Sequence, residues 1–216
     1  LRTVIDRATA MGFSAKFSCE FEFFLFQETP HSLHDKGFRE LKSLTPGMFG
    51  YSLVRMAQNR PFLTALMDEL RAFGVPLEGL HTETGPGVYE VAITFSEALE
   101  AADRAILFKT GAKEIGHRFE IMPSFMAKWS QQYPGCSGHI HQSLSDGKTN
   151  LFYDAKGKRS MSKLFESYLA GQVACLMEFA PMFWPTINSY KRLVDGFWAP
   201  VKPTWGFDNR TASFRV

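Results

Sequence analysis

The sequence predicts an α+β fold in which antiparallel strands are interspersed with covering helices. Three observations predict this class. The chain has 216 residues, 45% of them hydrophobic and 21% charged, which is an ordinary globular composition. Some segments alternate apolar and polar residues like strands, and others repeat apolar residues at helical spacing. The strands follow one another like hairpins rather than as regular βαβ units.

Helices and strands are expected in turn along the first part of the chain. Residues 1–11 have helical spacing, and residues 16–26 alternate like a strand. Residues 29–51 are rich in Gly, Pro, Ser and His without periodicity, which predicts a long irregular loop. A helix with a proline in its first turn is expected over residues 61–73, followed by a strand over residues 87–95.

The second part continues in the same way. Ser96 is predicted to cap a helix, whose buried stripe consists of Ala98, Ala101, Ala105, Phe108, Ala112 and Ile115. Strands are expected near residues 121–125 and 139–144. A further helix is expected from about residue 162 to 179, and the remaining segment ends in a strand.

Composition and charge exclude several classes of protein. The three cysteines are odd in number and form no CxxC motif, so neither a disulfide framework nor a cysteine zinc site is expected. The net charge of +2 favours neither nucleic acid nor a membrane surface as a partner. Without a bilayer-length apolar run or the layout of a signal peptide, the protein is expected to be cytoplasmic.

Two pairs of carboxylates form candidate cation ligands. Glu20 and Glu22 share one face of a Phe-rich strand, where they would repel each other unless a cation lies nearby. Glu83 and Glu90 flank a Gly-Pro-Gly turn at residues 85–87 that could bring both to one site. The alternatives are a solvated strand face for the first pair and ordinary surface positions for the second.

A later strand carries His139, His141 and Ser143 on one face, preceded by Gly135. Imidazole beside carboxylates, without thiolate, favours Mg²⁺ or Mn²⁺, and such ions most often serve phosphoryl chemistry. A nucleotide is therefore the expected ligand; the alternative is that the histidines are structural.

Three arginines near the C-terminus, Arg192, Arg210 and Arg215, lie among Trp, Pro and Phe residues. The guanidinium fork suits carboxylate and phosphate oxygens, which predicts an anion-binding role. The alternative is salt bridging at a domain surface.

Together these motifs resemble the catalytic domain of the glutamine synthetase family, over residues 1–216 and in the family's order. They are Glu-x-Glu, Glu-x6-Glu around Gly-Pro-Gly, Gly-x-x-Gly-His-x-His-x-Ser, Asn-Ser-Tyr-Lys-Arg and Asn-Arg-Thr with a final Arg. The resemblance implies an antiparallel sheet curved into a half-barrel with helices outside. It also implies ATP, two or three Mg²⁺ or Mn²⁺ ions, and a ring-shaped homo-oligomer.

The resemblance also implies roles for individual residues. Ligands of the first metal would be Glu22, Glu83 and Glu90, and ligands of the second would be Glu20 and His139. Contacts to glutamate would come from Gly135, His139 and, as the carboxylate clamp, Arg192. Contacts to the nucleotide would come from His141 and Ser143, and its phosphates would be bound by Arg210 and Arg215.

Three departures from the family pattern bear on this interpretation. The family's N-terminal domain, which supplies an Asp, and a later metal-ligating Glu lie outside residues 1–216, so the chain is expected to be a partial catalytic domain without its N-terminal domain and C-terminal remainder. Pro134 replaces the family's Asn before the glycine. Trp198 replaces the flap Glu of the ammonia-using members.

The implied function is an ATP-dependent ligase that joins the γ-carboxylate of glutamate to an amine through a γ-glutamyl phosphate. Because an indole offers no carboxylate for ammonium, Trp198 predicts an organic amine as the acceptor. The alternatives are a glutamine synthetase proper that uses ammonia, with Asp195 or Asp208 in the ammonium role, and a non-catalytic structural member of the family.

Overall fold

The computed structural model describes all 216 residues and divides them into two compact units. The sheet unit consists of Phe17–Met126 and Ser130–His141. The tail unit consists of Leu1–Lys16, Ala127–Trp129 and Gln142–Val216.

Six strands form one sheet: β1 Ser14–Phe26, β2 Leu77–Thr82, β3 Val88–Ile93, β4 Ser96–Glu97, β5 Met122–Ser124 and β6 Gly138–Ser145. The strand order is β2-β3-β1-β4, and β5 and β6 also pair with β1. The pairs β1–β3, β1–β5 and β2–β3 are antiparallel. The predicted α+β class with an antiparallel sheet is confirmed.

The helices are α1 Arg2–Ala10, α2 Pro30–Asp35, α3 Leu53–Gln58, α4 Arg60–Ala72, α5 Ala98–Arg118, α6 Lys163–Cys175, α7 Ala180–Phe183 and α8 Ile187–Tyr190, with a short 3-10 helix at Lys158–Ser160. Two further strands, β7 Trp205–Gly206 and β8 Phe214–Arg215, pair in parallel within the tail unit. None of the helices combines the length and the apolar composition needed to cross a membrane.

One face of β1 supplies the centre of the hydrophobic core. Phe23 and Leu25 are fully buried there, with Phe21 partly buried beside them. The ring of Phe108 on α5 packs against Phe21 and Phe23, with centroids 5.6 and 5.8 Å apart. Each such buried side chain contributes about 1.5–3 kcal/mol of transfer free energy. Because side chains alternate along a strand, this packing directs Glu20 and Glu22 to the opposite face.

Several predicted elements need correction. The segment 29–51 is not wholly irregular, because α2 begins in it with a capping box in which Thr29 and Ser32 exchange hydrogen bonds. Ser96 is not a helix cap: it lies in β4, and α5 follows Glu97 without a side-chain cap. Neither β2 nor α3 was predicted from the sequence.

Candidate active site

Acidic and imidazole side chains are in register across three neighbouring strands of the sheet unit. Glu22 on β1 is opposite Glu90 on β3, and Glu90 is opposite His81 on β2. Directly opposed residues of an antiparallel pair point to the same face, so these three side chains form one row. Glu20 is on the same face of β1, two residues before Glu22.

Glu20 is held by two histidines of β6. Its Oε2 is 2.6 Å from Nε2 of His141 and 3.5 Å from Nδ1 of His139. The Glu20 carboxylate is mostly buried, whereas both imidazoles are about half exposed. Hydrogen bonds from His139 and His141 hold the pKa of Glu20 well below its usual value, so this group is a carboxylate at neutral pH.

Two groups of potential metal ligands share Glu90. The first group is Glu20, Glu90 and His139, and the second is His81, Glu83 and Glu90; within each group the ligand atoms lie within 4.8 Å of one another. Carboxylate oxygens with imidazole nitrogen and no thiolate suit Mg²⁺ or Mn²⁺. The residues present therefore fit divalent cations, with Glu90 placed to serve two of them.

The electrostatics of Glu90 also favour a cation. Burial raises the pKa of Glu90 to about 7, the negative charges of Glu20 and Glu22 add to that rise, and the hydrogen bond to His81 opposes it. Hydrogen bonding to Glu90 raises the pKa of His81, and hydrogen bonding to Glu20 raises the pKa of His139. Each raised pKa means that the site retains protons which a bound divalent cation would displace.

The Gly-Pro-Gly turn brings Glu83 and Glu90 into one ligand group, as its sequence allowed. Gly87 has a φ of +70°, and a Cβ there would lie 2.5 Å from the carbonyl oxygen of Leu25. Its N–H donates to the carbonyl of Thr45 at 2.8 Å. Only glycine fits this close approach without strain.

Glu22, predicted to ligate one metal ion together with Glu83 and Glu90, lies opposite Glu90 in the sheet. Its Oε2 accepts the backbone N–H of Ser137 at 2.7 Å. The second ligand group contains His81 beside Glu83 and Glu90. Gly135, the predicted glutamate contact, is buried in the segment before β6.

His81 was not predicted as a site residue. Its Nε2 is 3.3 Å from Oε1 of Glu90, and its Nδ1 is 3.2 Å from the carbonyl oxygen of Thr82. The ring of Tyr51 stacks on the imidazole, with centroids 4.6 Å apart. The signal that could have found His81 is its position two residues before Glu83, which puts both on one face if the segment is a strand.

Within the tail unit, Arg192 contacts the segment that carries Trp198. Arg192 is buried, and its Nη1 and Nη2 donate to the carbonyl oxygens of Phe197 and Trp198 at 2.7 and 3.3 Å. Its guanidinium fork thus holds two consecutive backbone carbonyls, one on either side of the Cα atom of Trp198. The Trp198 side chain is 66% exposed.

The remaining predicted site residues of the tail unit are on β6 and around the β7–β8 ribbon. Ser143 is half-buried on β6, and Arg210 is exposed in the turn between β7 and β8. Arg215 on β8 pairs with Gly206 on β7. The Asn209 side chain accepts the N–H and hydroxyl of Thr211, which shapes the turn around Arg210. Both arginines are exposed, and a guanidinium fork suits phosphate or carboxylate oxygens.

The sequence model described as "Glutamine synthetase, catalytic domain" matches residues 1–216. Among curated proteins, the chain is 56% identical to type-1 glutamine synthetase 2 of Dictyostelium discoideum and 36% identical to glutamate–isopropylamine ligase of a Pseudomonas species. It is 33% identical to glutamate–methylamine ligase of Methyloversatilis universalis. Each match covers 100% of this chain but only 42%, 47% and 50% of the relative, so the chain spans about half the length of these proteins.

Solved structures have the same fold. The GmaS/ADP complex superposes with a TM-score of 0.86 at 26% identity, over 99% of this chain and 50% of that one. The Plasmodium falciparum glutamine synthetase superposes with the same TM-score of 0.86 at 20% identity, over 98% of this chain and 46% of that one. These superpositions support the fold class that the motifs predicted.

Proposed function

Because this chain belongs to the glutamine synthetase family, we propose that the protein to which it belongs is an ATP-dependent ligase that joins the γ-carboxylate of glutamate to an amine. The observation that carries this proposal is the pair of overlapping ligand groups that share Glu90. One group adds Glu20 and His139, and the other adds His81 and Glu83. Glu22 lies opposite Glu90 in the sheet. Such a set suits the divalent ions that accompany ATP in phosphoryl transfer.

The proposed reaction has two steps. The terminal phosphoryl group of ATP is transferred to a side-chain carboxylate oxygen of glutamate, which gives ADP and a γ-glutamyl phosphate. The amine nitrogen then attacks the γ-carbonyl carbon, phosphate leaves, and the nitrogen loses a proton. Bound Mg²⁺ or Mn²⁺ would neutralise charge on the phosphate oxygens, and most of the catalysis would come from positioning and charge neutralisation.

In this proposal each cluster has one role. Glu20, Glu22, Glu83, Glu90 and His139 hold the metal ions, and His81 joins them as a ligand or a partner of Glu90. Arg210 and Arg215 bind phosphate oxygens, and His141 and Ser143 contact the nucleotide. Gly135, His139 and Arg192 contact glutamate; for Arg192 this requires that its fork exchange the loop carbonyls for the substrate carboxylate.

We propose an organic amine rather than ammonia as the acceptor. Trp198 presents an exposed indole where the ammonia-using members have a Glu, and an apolar wall favours an alkyl group on the nitrogen. Two relatives carry names that specify isopropylamine and methylamine. The 56% identical relative is named a glutamine synthetase, which keeps ammonia as the second candidate acceptor.

A ring-shaped, cytoplasmic homo-oligomer is also part of the proposal, and it rests on the family resemblance. Size-exclusion chromatography with light scattering on the full-length protein tests it, and a monomer at micromolar concentration would overturn it.

The experiment that tests the ligase proposal supplies the full-length protein with glutamate, ATP and Mg²⁺ or Mn²⁺. Parallel reactions contain ammonium, methylamine, isopropylamine, putrescine or no acceptor, and both phosphate release and the product are measured. We expect phosphate release that depends on the amine, together with a γ-glutamyl amide of matching mass. Phosphate release without any amide, or no turnover with any acceptor, would contradict the proposal and favour a structural role.

A further inference from the structure

Lys128 is a buried cation for which the proposed mechanism has no role. It belongs to the tail unit and is 8% exposed. One side chain fixes its backbone from both sides: Asn188 Oδ1 accepts the Lys128 N–H at 3.0 Å, and Asn188 Nδ2 donates to the Lys128 carbonyl at 2.7 Å. Asn188 is the first residue of the Asn-Ser-Tyr-Lys-Arg motif, so this motif fixes the backbone from which the Lys128 side chain extends.

The ammonium group of Lys128 lies on the face of the Phe197 ring, with Nζ 4.4 Å from the ring centroid. This is the geometry of a cation–π contact, which is stronger where water is excluded. Burial lowers the pKa of Lys128, and the nearby positive charge of Arg192 lowers it further. Two cations are thus packed together under one short loop, residues 195–200, which we name the acceptor loop.

The two cations hold different parts of the acceptor loop. Arg192 donates to the backbone carbonyls of Phe197 and Trp198. Lys128 contacts the aromatic ring of Phe197. The hydrogen bonds from Arg192 restrain the loop backbone but do not restrain the rotamer of the Phe197 ring. The contact with Lys128 restrains that ring.

The acceptor loop needs such contacts because its backbone is strained. Gly196 has a φ of +79°, and Trp198 has a φ of +56°. The left-handed region is unfavourable for any residue with a Cβ, so Trp198 keeps this conformation only if its surroundings hold it there. The neighbours that hold the preceding residue, Phe197, are Lys128 and Arg192.

We propose that Lys128 is a positioning residue for the amine acceptor: it holds the Phe197 ring and so fixes the loop from which the Trp198 indole meets the alkyl group of the amine. The inference rests on the proposed ligase function for its consequence in catalysis. Its structural part, the restraint of the acceptor loop, stands on the contacts of Lys128 alone.

The first test measures the loop without reference to activity. Hydrogen–deuterium exchange of the acceptor-loop amides is compared in the full-length wild type, Lys128→Met, Lys128→Arg and Phe197→Leu. We expect exchange to become about 2- to 30-fold faster in Lys128→Met, the range for the loss of one cation–π contact. Lys128→Arg keeps a cation at this position and should protect the loop amides as the wild type does. Phe197→Leu should behave like Lys128→Met. Exchange in a protein that carries both substitutions should be no faster than in either single variant. Unchanged exchange in Lys128→Met, or additive effects in the double variant, would overturn the proposal.

The second test separates positioning of the acceptor from a general structural role. We expect Lys128→Met to raise the KM for the preferred amine about fivefold or more, within the range given by the same contact, while the KM values for ATP and glutamate stay within about twofold. Lys128→Arg should recover the amine KM, and Lys113→Met, an exposed change on α5, is the matched control. Equal rises in all three KM values would contradict acceptor positioning. If the wild type ligates no amine, the proposed function fails, and the exchange measurement still decides the role of Lys128.

Discussion

Glu90 connects the two ligand groups, and the fold makes its negative charge unfavourable. Its carboxylate is buried between Glu20 and Glu22 on one side and His81 on the other. Burial raises its pKa to about 7, so below that pH the group carries a proton. A divalent cation has to displace this proton before Glu90 can ligate it, which couples metal affinity to pH.

We therefore predict that Mn²⁺ affinity of the full-length protein falls as the pH is lowered from 8 to 6. Below pH 7 the decrease should approach about tenfold per pH unit for a site that must remove one proton. Isothermal titration calorimetry in buffers of different ionisation enthalpy measures both the affinity and the protons released. Glu90→Gln should bind Mn²⁺ more weakly and with a shallower pH dependence, whereas Glu78→Gln, an exposed change on β2, should match the wild type. Affinity that is independent of pH in the wild type would refute this role for Glu90.

The second prediction for a single residue concerns Arg210. Lysine at this position keeps the positive charge but loses the bidentate fork, which is worth about 1.5–3 kcal/mol for a hydrogen bond to a charged group. We expect Arg210→Lys to lower kcat/KM for ATP by about 10- to 100-fold. Arg71→Lys, an exposed change at the end of α4, is the control. Equal ATP turnover in the two variants would remove Arg210 from phosphate binding.

The sequence predicted which residues form the cluster better than it predicted how they pair. Period-two alternation correctly put Glu20 and Glu22 on the face opposite the core. The pairing depends on register between strands, and one of those strands, β2, was not recognised. Without β2 there was no reason to place His81 opposite Glu90. The contact of Arg192 with the acceptor loop was equally invisible, because it depends on a backbone conformation that only the folded loop defines.

At the scale of elements, a buried carboxylate organises the segment after β1. Glu28 is 3% exposed and accepts hydrogen bonds from Ser32 Oγ, Lys36 Nζ and the Lys42 N–H at 2.6, 2.6 and 2.9 Å. Burial alone would raise its pKa, but Lys36, Ser32 and Lys42 outweigh burial and lower it to about 2. Glu28 thus ties both ends of α2 and the following turn to the end of β1, in a segment whose composition indicated an irregular loop.

We predict that Glu28→Gln destabilises this segment. A folded-state pKa of about 2, below the ordinary value of 4.5, means that the charged form contributes stability above pH 4.5 and loses it as the pH falls towards 2. This lowering of the Glu28 pKa corresponds to about 3 kcal/mol of stability at pH 7. The difference in free energy of opening between wild type and Glu28→Gln should therefore be constant from pH 8 to 5 and become smaller at pH 4.

Hydrogen exchange of the amides of residues 29–42 in the full-length protein measures this difference. Lys36→Met should also destabilise the segment, because it leaves the buried Glu28 without its counter-charge. The control is Lys42→Met, since Lys42 contributes only its backbone N–H to Glu28. Equal protection in wild type and Glu28→Gln at pH 7 would show that the carboxylate does not order the segment.

Other elements show why local signals failed. Serine often caps helices, but Ser96 lies in β4, which pairs with β1. Helix α5 begins after Glu97 instead. A cap preference of about 1 kcal/mol is easily overridden by sheet pairing and burial. Ser52, by contrast, does cap α3 by accepting the N–H of Arg55. The prediction of helices therefore succeeded where a long apolar stripe was present and failed for the six-residue helices α2 and α3.

At the scale of the whole molecule, residues 1–216 correspond to about half of each relative. The candidate metal-ligand groups belong to the sheet unit. The acceptor loop and the arginines that we propose to bind phosphate belong to the tail unit. The family motifs recur in both units, so the resemblance was recognisable from sequence even though each motif alone had a structural alternative. In our proposal, by contrast, specificity for the acceptor depends on one residue, Trp198, in one loop.

The last prediction concerns that residue. A Glu at position 198 would offer ammonium a negative charge and a general base that accepts its proton, whereas the indole offers an apolar wall and a π face. We expect the full-length wild type to prefer an alkylamine over ammonium. We also expect Trp198→Glu to gain activity with ammonium and to lose at least about tenfold in kcat/KM for the amine, because the contact of one alkyl group with an apolar wall is worth about 1–3 kcal/mol. Trp198→Phe is the matched control, since it keeps the wall and adds no base. The measurement is the ratio of kcat/KM for the amine to that for ammonium in all three proteins. A wild type that favours ammonium over every amine would assign the acceptor role to another carboxylate, Asp195 or Asp208, and would reduce Trp198 to packing.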